Sequence, residues 1–358
     1  MQSAVNSTGA RAASPLRWWR QLVCAALLST GAAGPLAAQD VADFYRGKTI
    51  TLIVGGNAGG GYDVYARALA QRLPAHIPGK PSIVVVNSPG AGSLIAARAL
   101  YYTAAKDGTV IGELFRGAIV EPLIGNADAA RFDSRKFNFL ASAATADGGT
   151  CFVRPDAKVQ SFQQALEEPL IVGAAGRGAA IGDMPVLLQR LLKTKFKIVA
   201  GYKGSPDMLQ AFERGEIEAI CGLQYAEMQM QVPSWLRDGQ ARIIVQLGMQ
   251  PNEDMSRLGI PTVWDFIKDK DDRDTLELIF GQLEFGRPFL APPGVPADRV
   301  AALRKAFDDT LKDPAFVADA EKMKLELDPR SGEDLQQLVD KFFATRPDLV
   351  ARAREVVR

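Results

Sequence analysis

The stretch Thr49-Ile50-Thr51-Leu52-Ile53-Val54-Gly55-Gly56-Asn57-Ala58-Gly59-Gly60-Gly61-Tyr62-Asp63 decides the fold. A β-branched, apolar run stops at a cluster of glycines, and an apolar-periodic segment over 64–73 follows at once. That order predicts strand, glycine-rich turn, helix. Such a turn aims free backbone N–H groups outward with the positive end of the helix dipole behind them, which makes a site for a carboxylate, phosphate or sulfate. A plain tight turn between strand and helix is the other reading, and the residues alone leave both open. The spacing fits neither nucleotide fingerprint: Gly59-Gly60-Gly61 lacks the later helix glycine of the dinucleotide motif, and no Gly-Lys-Ser/Thr follows. Candidate ligand contacts are Asn57, Ala58, Gly59, Gly60, Gly61 and Tyr62. Asp63, in the first helical turn, either complements the dipole or meets a ligand.

The pattern repeats outward. Ser82-Ile83-Val84-Val85-Val86 is a second strand, and it runs into Asn87-Ser88-Pro89-Gly90-Ala91-Gly92-Ser93 and then a helix over 94–105. Two successive strand, turn, helix units put both turns at one edge of a parallel sheet, so Ser88, Gly90, Ala91 and Gly92 join the candidate contacts. A third strand over 109–114 ends at Phe115-Arg116. A guanidinium there can grip a carboxylate bidentately, or it can pair with Glu113 or Glu121.

The chain has 358 residues, 47% of them hydrophobic, enough for two domains with real cores. Lys+Arg 42 against Asp+Glu 41 leaves no basic excess for nucleic acid. Residues 1–38 read as a secretory signal peptide: Arg11, Arg17 and Arg20, the apolar run Leu22 to Leu28, then small residues ending at Ala37-Ala38. Export would remove Cys24 and leave Cys151 and Cys221, which either pair in an oxidising compartment or stay buried thiols. His76 is the only histidine, in a loop, and reads as a surface residue. One histidine and no Cys-x-x-Cys or Gly-x-Ser-x-Gly argue against zinc and serine-histidine chemistry, while a carboxylate pair stays open. No cofactor or metal is expected, and the residues that stand out bind anions instead of activating water.

Three motifs together resemble one family. Ile-Val-x-x-x-x-Gly-Gly-Gly-x-Asp (53–63), Asn-x-Pro-Gly-Ala-Gly (87–92) and Lys-Asp-Gly-Thr (106–109) are similar to the Bug family, the exported substrate-binding proteins of tripartite tricarboxylate transporters. Tyr202-Lys203-Gly204 and Ala291-Pro292-Pro293-Gly294-Val295-Pro296 also match its pattern. The resemblance implies an α/β, two-lobed periplasmic-binding-protein fold of type II. Each lobe would be a mixed, mostly parallel sheet flanked by helices, with the ligand cleft between. Lobe 1 would be 39–145 with 249–358, and lobe 2 would be 146–248. Gly176, Arg177, Gly178 and Ala179 answer to the family's glycine loop facing the ligand from lobe 2, and Tyr202 and Lys203 flank it. Departures are Asn57 and Tyr62 around the triple glycine, Phe115 and Arg116 where small residues are usual, and Ala179 in place of a hydroxyl. The implied function is a periplasmic monomer that captures a small organic carboxylate and hands it to membrane transporter subunits. A ligand-sensing subunit for a membrane kinase, or a hydrolase or lyase on the same scaffold, are the alternatives.

Overall fold

The computed structural model describes residues 40–145, 148–176 and 179–357. The expected signal peptide, Arg177 and Gly178 lie outside the described residues.

β1 (Thr49–Val54) alternates as its β-branched sequence requires, with Ile50, Leu52 and Val54 turned into the core. It pairs in parallel with β2 (Ser82–Asn87) on one side and β3 (Val110–Glu113) on the other, so the turns after all three strands share one sheet edge. α1 (Gly61–His76) follows β1, the short α2 (Leu94–Arg98) follows β2, and α3 (Arg116–Ile124) follows β3. β4 (Asn138–Ser142), β10 (Pro288–Ala291) and the two-residue β11 (Arg330–Ser331) complete this sheet in the order β11-β4-β10-β3-β1-β2.

The second sheet has the order β7-β6-β8-β5-β9. Its strands are β5 (Gly149–Val153), β6 (Leu170–Ala175), β7 (Phe196–Tyr202), β8 (Ala219–Gln224) and β9 (Arg242–Leu247). β7, β6 and β8 run parallel, whereas β5 is antiparallel to β8 and β9. The parallel strands lead into α4 (Ala180–Leu192), α5 (Ser205–Glu213) and α6 (Tyr225–Gln231), again with their turns on one edge. Pro206 in the first turn of α5 fits a position where its missing N–H costs nothing. Cys151 of β5 faces Cys221 of β8, with Cα atoms 4.0 Å apart.

α7 (Lys270–Phe280), α8 (Ala297–Lys312), α9 (Pro314–Lys322), α10 (Gly332–Phe343) and α11 (Pro347–Val357) close the chain. α11 ties the sheets together: Arg354 Nε donates to the Leu123 carbonyl of α3 at 2.7 Å, while Arg190 of α4 donates to the Glu355 carbonyl at 3.2 Å. One apolar cluster runs beneath this seam, from Leu94 and Phe139 to Val172 and Leu188. The segment 249–266, assigned to the first lobe on sequence, makes contacts to the second sheet. Gln246 of β9 holds the Asn252 N–H and the Ile260 carbonyl, and Phe266 packs on Phe162. His76 is half-buried, its Nε2 3.0 Å from Asp313 Oδ2, where it links the end of α1 to the cap of α9.

Gly55 is required sterically. A Cβ there would stand 1.6 Å from Ser93 Oγ, and Ser93 is buried. Overpacking of this kind costs about 1–3 kcal/mol. Gly55→Ala should lower the urea midpoint accordingly, and Ser93→Ala introduced beside it should recover part of the loss. An unshifted midpoint for the single variant would show that the contact relaxes freely.

Candidate functional site

The turn between β1 and α1 spends much of its polarity on itself. Asp63 is 2% exposed, and its Oδ2 accepts from the Gly59 N–H and from Arg67 Nε, both at 2.8 Å. Its Oδ1 accepts from Asn87 Nδ2 at 2.9 Å, and the same amide donates to the Gly56 carbonyl at 3.0 Å. Arg67 Nη2 closes the set by donating to Asn87 Oδ1 at 3.0 Å. Burial alone would raise the Asp63 pKa, but the hydrogen bonds from Arg67, Gly59 and Asn87 outweigh it and hold the carboxyl below its ordinary range. Asp63 thus clamps the glycine turn to the end of β2.

Beside that clamp sits a group of positive charges. Arg287, immediately before β10, lies over the rings of Tyr65 and Tyr62, with 4.3 and 4.9 Å to their centroids. A Cβ on Gly61 would stand 3.2 Å from both terminal nitrogens of Arg287, so the guanidinium rests on the first residue of α1. The N-cap of α1 is Gly60, which offers no side-chain acceptor. A cation at the positive end of a helix is disfavoured by about 0.3–1 kcal/mol. Arg116 opens α3 next to it, and its backbone N–H donates to the Tyr62 hydroxyl at 3.3 Å. Neither Arg116 nor Arg287 has an ion-pair partner among the described residues. Burial, together with the nearby Arg287, lowers the Arg116 pKa, but a guanidinium stays charged throughout the working range.

Both cations meet Gln224, at the end of β8 in the other sheet. With one amide orientation Gln224 Oε1 accepts from Arg287 Nη2 at 3.4 Å; with the amide turned over, the oxygen accepts from Arg116 Nη1 at 2.9 Å and Nη2 at 3.3 Å. The turned orientation satisfies the amide better. The two turn-bearing edges therefore face each other across this contact.

Under the clamp lies Glu113, fully buried at the end of β3, with neither carboxyl oxygen hydrogen-bonded. Burial pushes its pKa well above the ordinary 4.5; Arg287 pulls it down and Asp63 adds to the rise. Glu113 makes no hydrogen bond to Arg287, so the guanidinium keeps its charge for the cleft.

Tyr62, Phe115 and Arg116 are brought together as one cluster: the rings of Tyr62 and Phe115 lie 4.6 Å apart, and Tyr62 also donates to the Gly286 carbonyl at 3.2 Å. Phe115 covers Gly56, where a Cβ would be 3.0 Å from its ring. Asn57, Ala58, Gly59 and Gly60 remain exposed along the turn, with the Gly60 N–H returned to the Asn57 carbonyl. Ser88 is tied to the Val54 carbonyl, and Gly90, Ala91 and Gly92 follow with positive φ. In the other sheet Gly176 and Ala179 flank the start of α4; Tyr202 is half-buried and Lys203 exposed, its N–H directed to Asp207. Tyr225 packs, 8% exposed. Arg287, Gln224, Asn87 and Glu113 are the residues that sequence reasoning did not single out as site residues. Their signal is a lone polar or charged residue at the edge of an apolar strand, as in Gly286-Arg287-Pro288-Phe289-Leu290.

No protein-family model and no curated protein sequence matches the chain. Solved structures share its fold. The periplasmic binding protein BugD is 20% identical, with 87% of this chain and 98% of that one covered and a TM-score of 0.65. An R. palustris protein with adipate is 20% identical over 86% and 97%, TM-score 0.63. MatC from Rhodopseudomonas palustris with bound malate is 22% identical over 87% and 99%, TM-score 0.61. The architecture is thus the two-lobed α/β arrangement of type II periplasmic binding proteins. Among the described residues no helix is long and apolar enough to cross a membrane, and no group of three or more His, Cys, Asp or Glu is placed to hold a metal.

The two buried carboxyls act oppositely on stability. Below about pH 4.5 Glu113 is protonated in folded and unfolded chains alike. Above it the unfolded chain ionises this group while the fold keeps the proton, so Glu113 subtracts stability with rising pH until its folded form ionises. Stability from Asp63 is present above its ordinary 3.8 and is lost as pH falls through its lower folded value. Glu113→Gln should therefore gain on the wild type in urea midpoint as pH rises above about 4.5. Parallel profiles would contradict a neutral Glu113.

Proposed function

We propose that the chain is a Bug-family solute receptor, exported to the periplasm by residues 1–38, that closes on a small organic carboxylate and delivers it to a tripartite tricarboxylate-type transporter. The carrying observation is the pair Arg116 and Arg287, two guanidiniums without carboxylate partners among the described residues, meeting Gln224 of the opposite lobe beside the uncapped start of α1. A carboxylate bound there would neutralise both cations, face the helix dipole and exchange the weaker Gln224 contact for charge-assisted bonds. Such bonds contribute about 1.5–3 kcal/mol each, so two or three reach micromolar affinity, roughly 8 kcal/mol. The likeness to structures whose ligands are malate and adipate supports the same ligand chemistry. The receptor works as a monomer that binds without turnover, on 39–145 with 249–358 as one lobe and 146–248 as the other. The glycine turn and Gly176–Ala179 serve as its two jaws.

Calorimetry of the mature chain with malate, adipate and citrate tests the reading. Binding by at least one acid, weakened tenfold or more by Arg287→Ala and by Arg116→Ala, is the expected result; binding of a neutral sugar with no response to any carboxylate would overturn it. A second test concerns the compartment. We read Cys151 and Cys221 as a disulfide formed on export, consistent with their cross-strand placement. Unreduced, denatured periplasmic protein should show no free thiol, and a count of two would remove the bridge.

A further inference from the structure

The cleft is larger than a pair of cations and a small diacid require. A cavity of about 460 Å³ opens from Gly59, Gly61 and Arg287 and runs between α1 of one lobe and α5 and α6 of the other. It falls within the ~300–1,000 Å³ of sites that enclose whole organic ligands. Its walls past the guanidinium are largely apolar, with Val64, Tyr65 and Leu325 on one side and Leu209, Met230 and Val232 on the other, and polar side chains such as Gln210 and Gln231 between them.

The distribution of polarity along it is uneven. Arg287 is half-buried, whereas Lys324, Glu213 and Glu326 are exposed. Glu227, which also lines the cavity, is held by Ser205 Oγ at 2.7 Å and Gln231 Nε2 at 2.8 Å. Met230 is 41% exposed and belongs to none of the three core clusters around it, so folding gives it no evident task. An exposed methionine on a cleft wall is an adaptable apolar surface, suited to a ligand's hydrocarbon part. Glu113, fully buried and without hydrogen-bond partners, leaves the Arg287 charge unpaired at this end.

From this cavity we infer that the receptor's ligand is a carboxylate with an apolar body, a medium-chain or arylalkyl acid, its head group on Arg287 and its body along Val64, Leu209 and Met230. The inference rests on the carboxylate-receptor reading and narrows it. A polyhydroxylated or tricarboxylic acid would set most of its polar groups against the apolar side chains of these walls, a costly burial. Each methylene buried there adds to the affinity instead, so a chain of several carbons outweighs the second charge of a short diacid.

Calorimetry with octanoate and 4-phenylbutyrate, against succinate and citrate, separates the outcomes. Octanoate or 4-phenylbutyrate should bind at least tenfold more tightly than succinate or citrate. Met230→Glu, at an exposed position that the fold tolerates, should weaken the apolar acid at least tenfold, and Met230→Leu should keep it within threefold. Binding of succinate or citrate without the apolar acids would overturn this inference and leave the receptor reading standing. Apolar-acid binding indifferent to Met230→Glu would also overturn it. Silence of all four acids would overturn the receptor reading and this inference together.

Discussion

The site depends on a cation held where a fold would ordinarily not leave one. Arg287 lies on two tyrosine rings and the first residue of α1, with no carboxylate among the described residues to neutralise it. Cation–π contact with Tyr62 and Tyr65 contributes about 0.5–2 kcal/mol, and the helix end opposes it. What leaves the charge available is the placement of Glu113, a buried acid whose carboxyl oxygens make no hydrogen bond and whose burial pushes its pKa up. The glycine turn serves this arrangement. Asp63, Asn87 and Arg67 fix its path, Gly61 leaves room for the guanidinium, and Tyr62 stands between Arg287 and Phe115.

That division of labour separates scaffold from recognition. The clamp on the turn is closed upon itself, each Asp63 oxygen and the Asn87 amide being engaged within the lobe. Arg116 and Arg287 look across to Gln224 instead, and the charge of Glu227 on the helix beyond it also acts on Arg116. A neutral amide oxygen serves only one of the two guanidiniums at a time, a weak contact that an anion can replace. α11 and the apolar cluster that spans both sheets join the lobes.

The sequence made the local parts of this legible. β1, its turn and α1 are written in contiguous residues, and the repeat at β2 carries the parallel edge with it. Tyr62 and Phe115 depart from the family pattern, and the structure brings them together as one tilted ring pair. Arg287 and Gln224 were not legible: each is an isolated residue at a strand end, 63 positions apart, and only the facing of two sheets gives the pair a meaning. Asp63 shows the limit from the other side. Its position in the first turn of α1 suits both a cap and a ligand contact; Gly59 and Arg67 take Oδ2 locally, and only Asn87, 24 residues on, decides that Oδ1 is occupied as well.

The central claim is that a carboxylate takes the place of Gln224 on the two guanidiniums. A crystal structure of the mature chain grown with a bound organic acid tests it most directly. The account predicts carboxylate oxygens within hydrogen-bond distance of Arg287 and Arg116, with Glu113 still unpaired beneath them. An acid seated elsewhere in the cleft, with Arg287 turned inward onto an ionised Glu113, would contradict it.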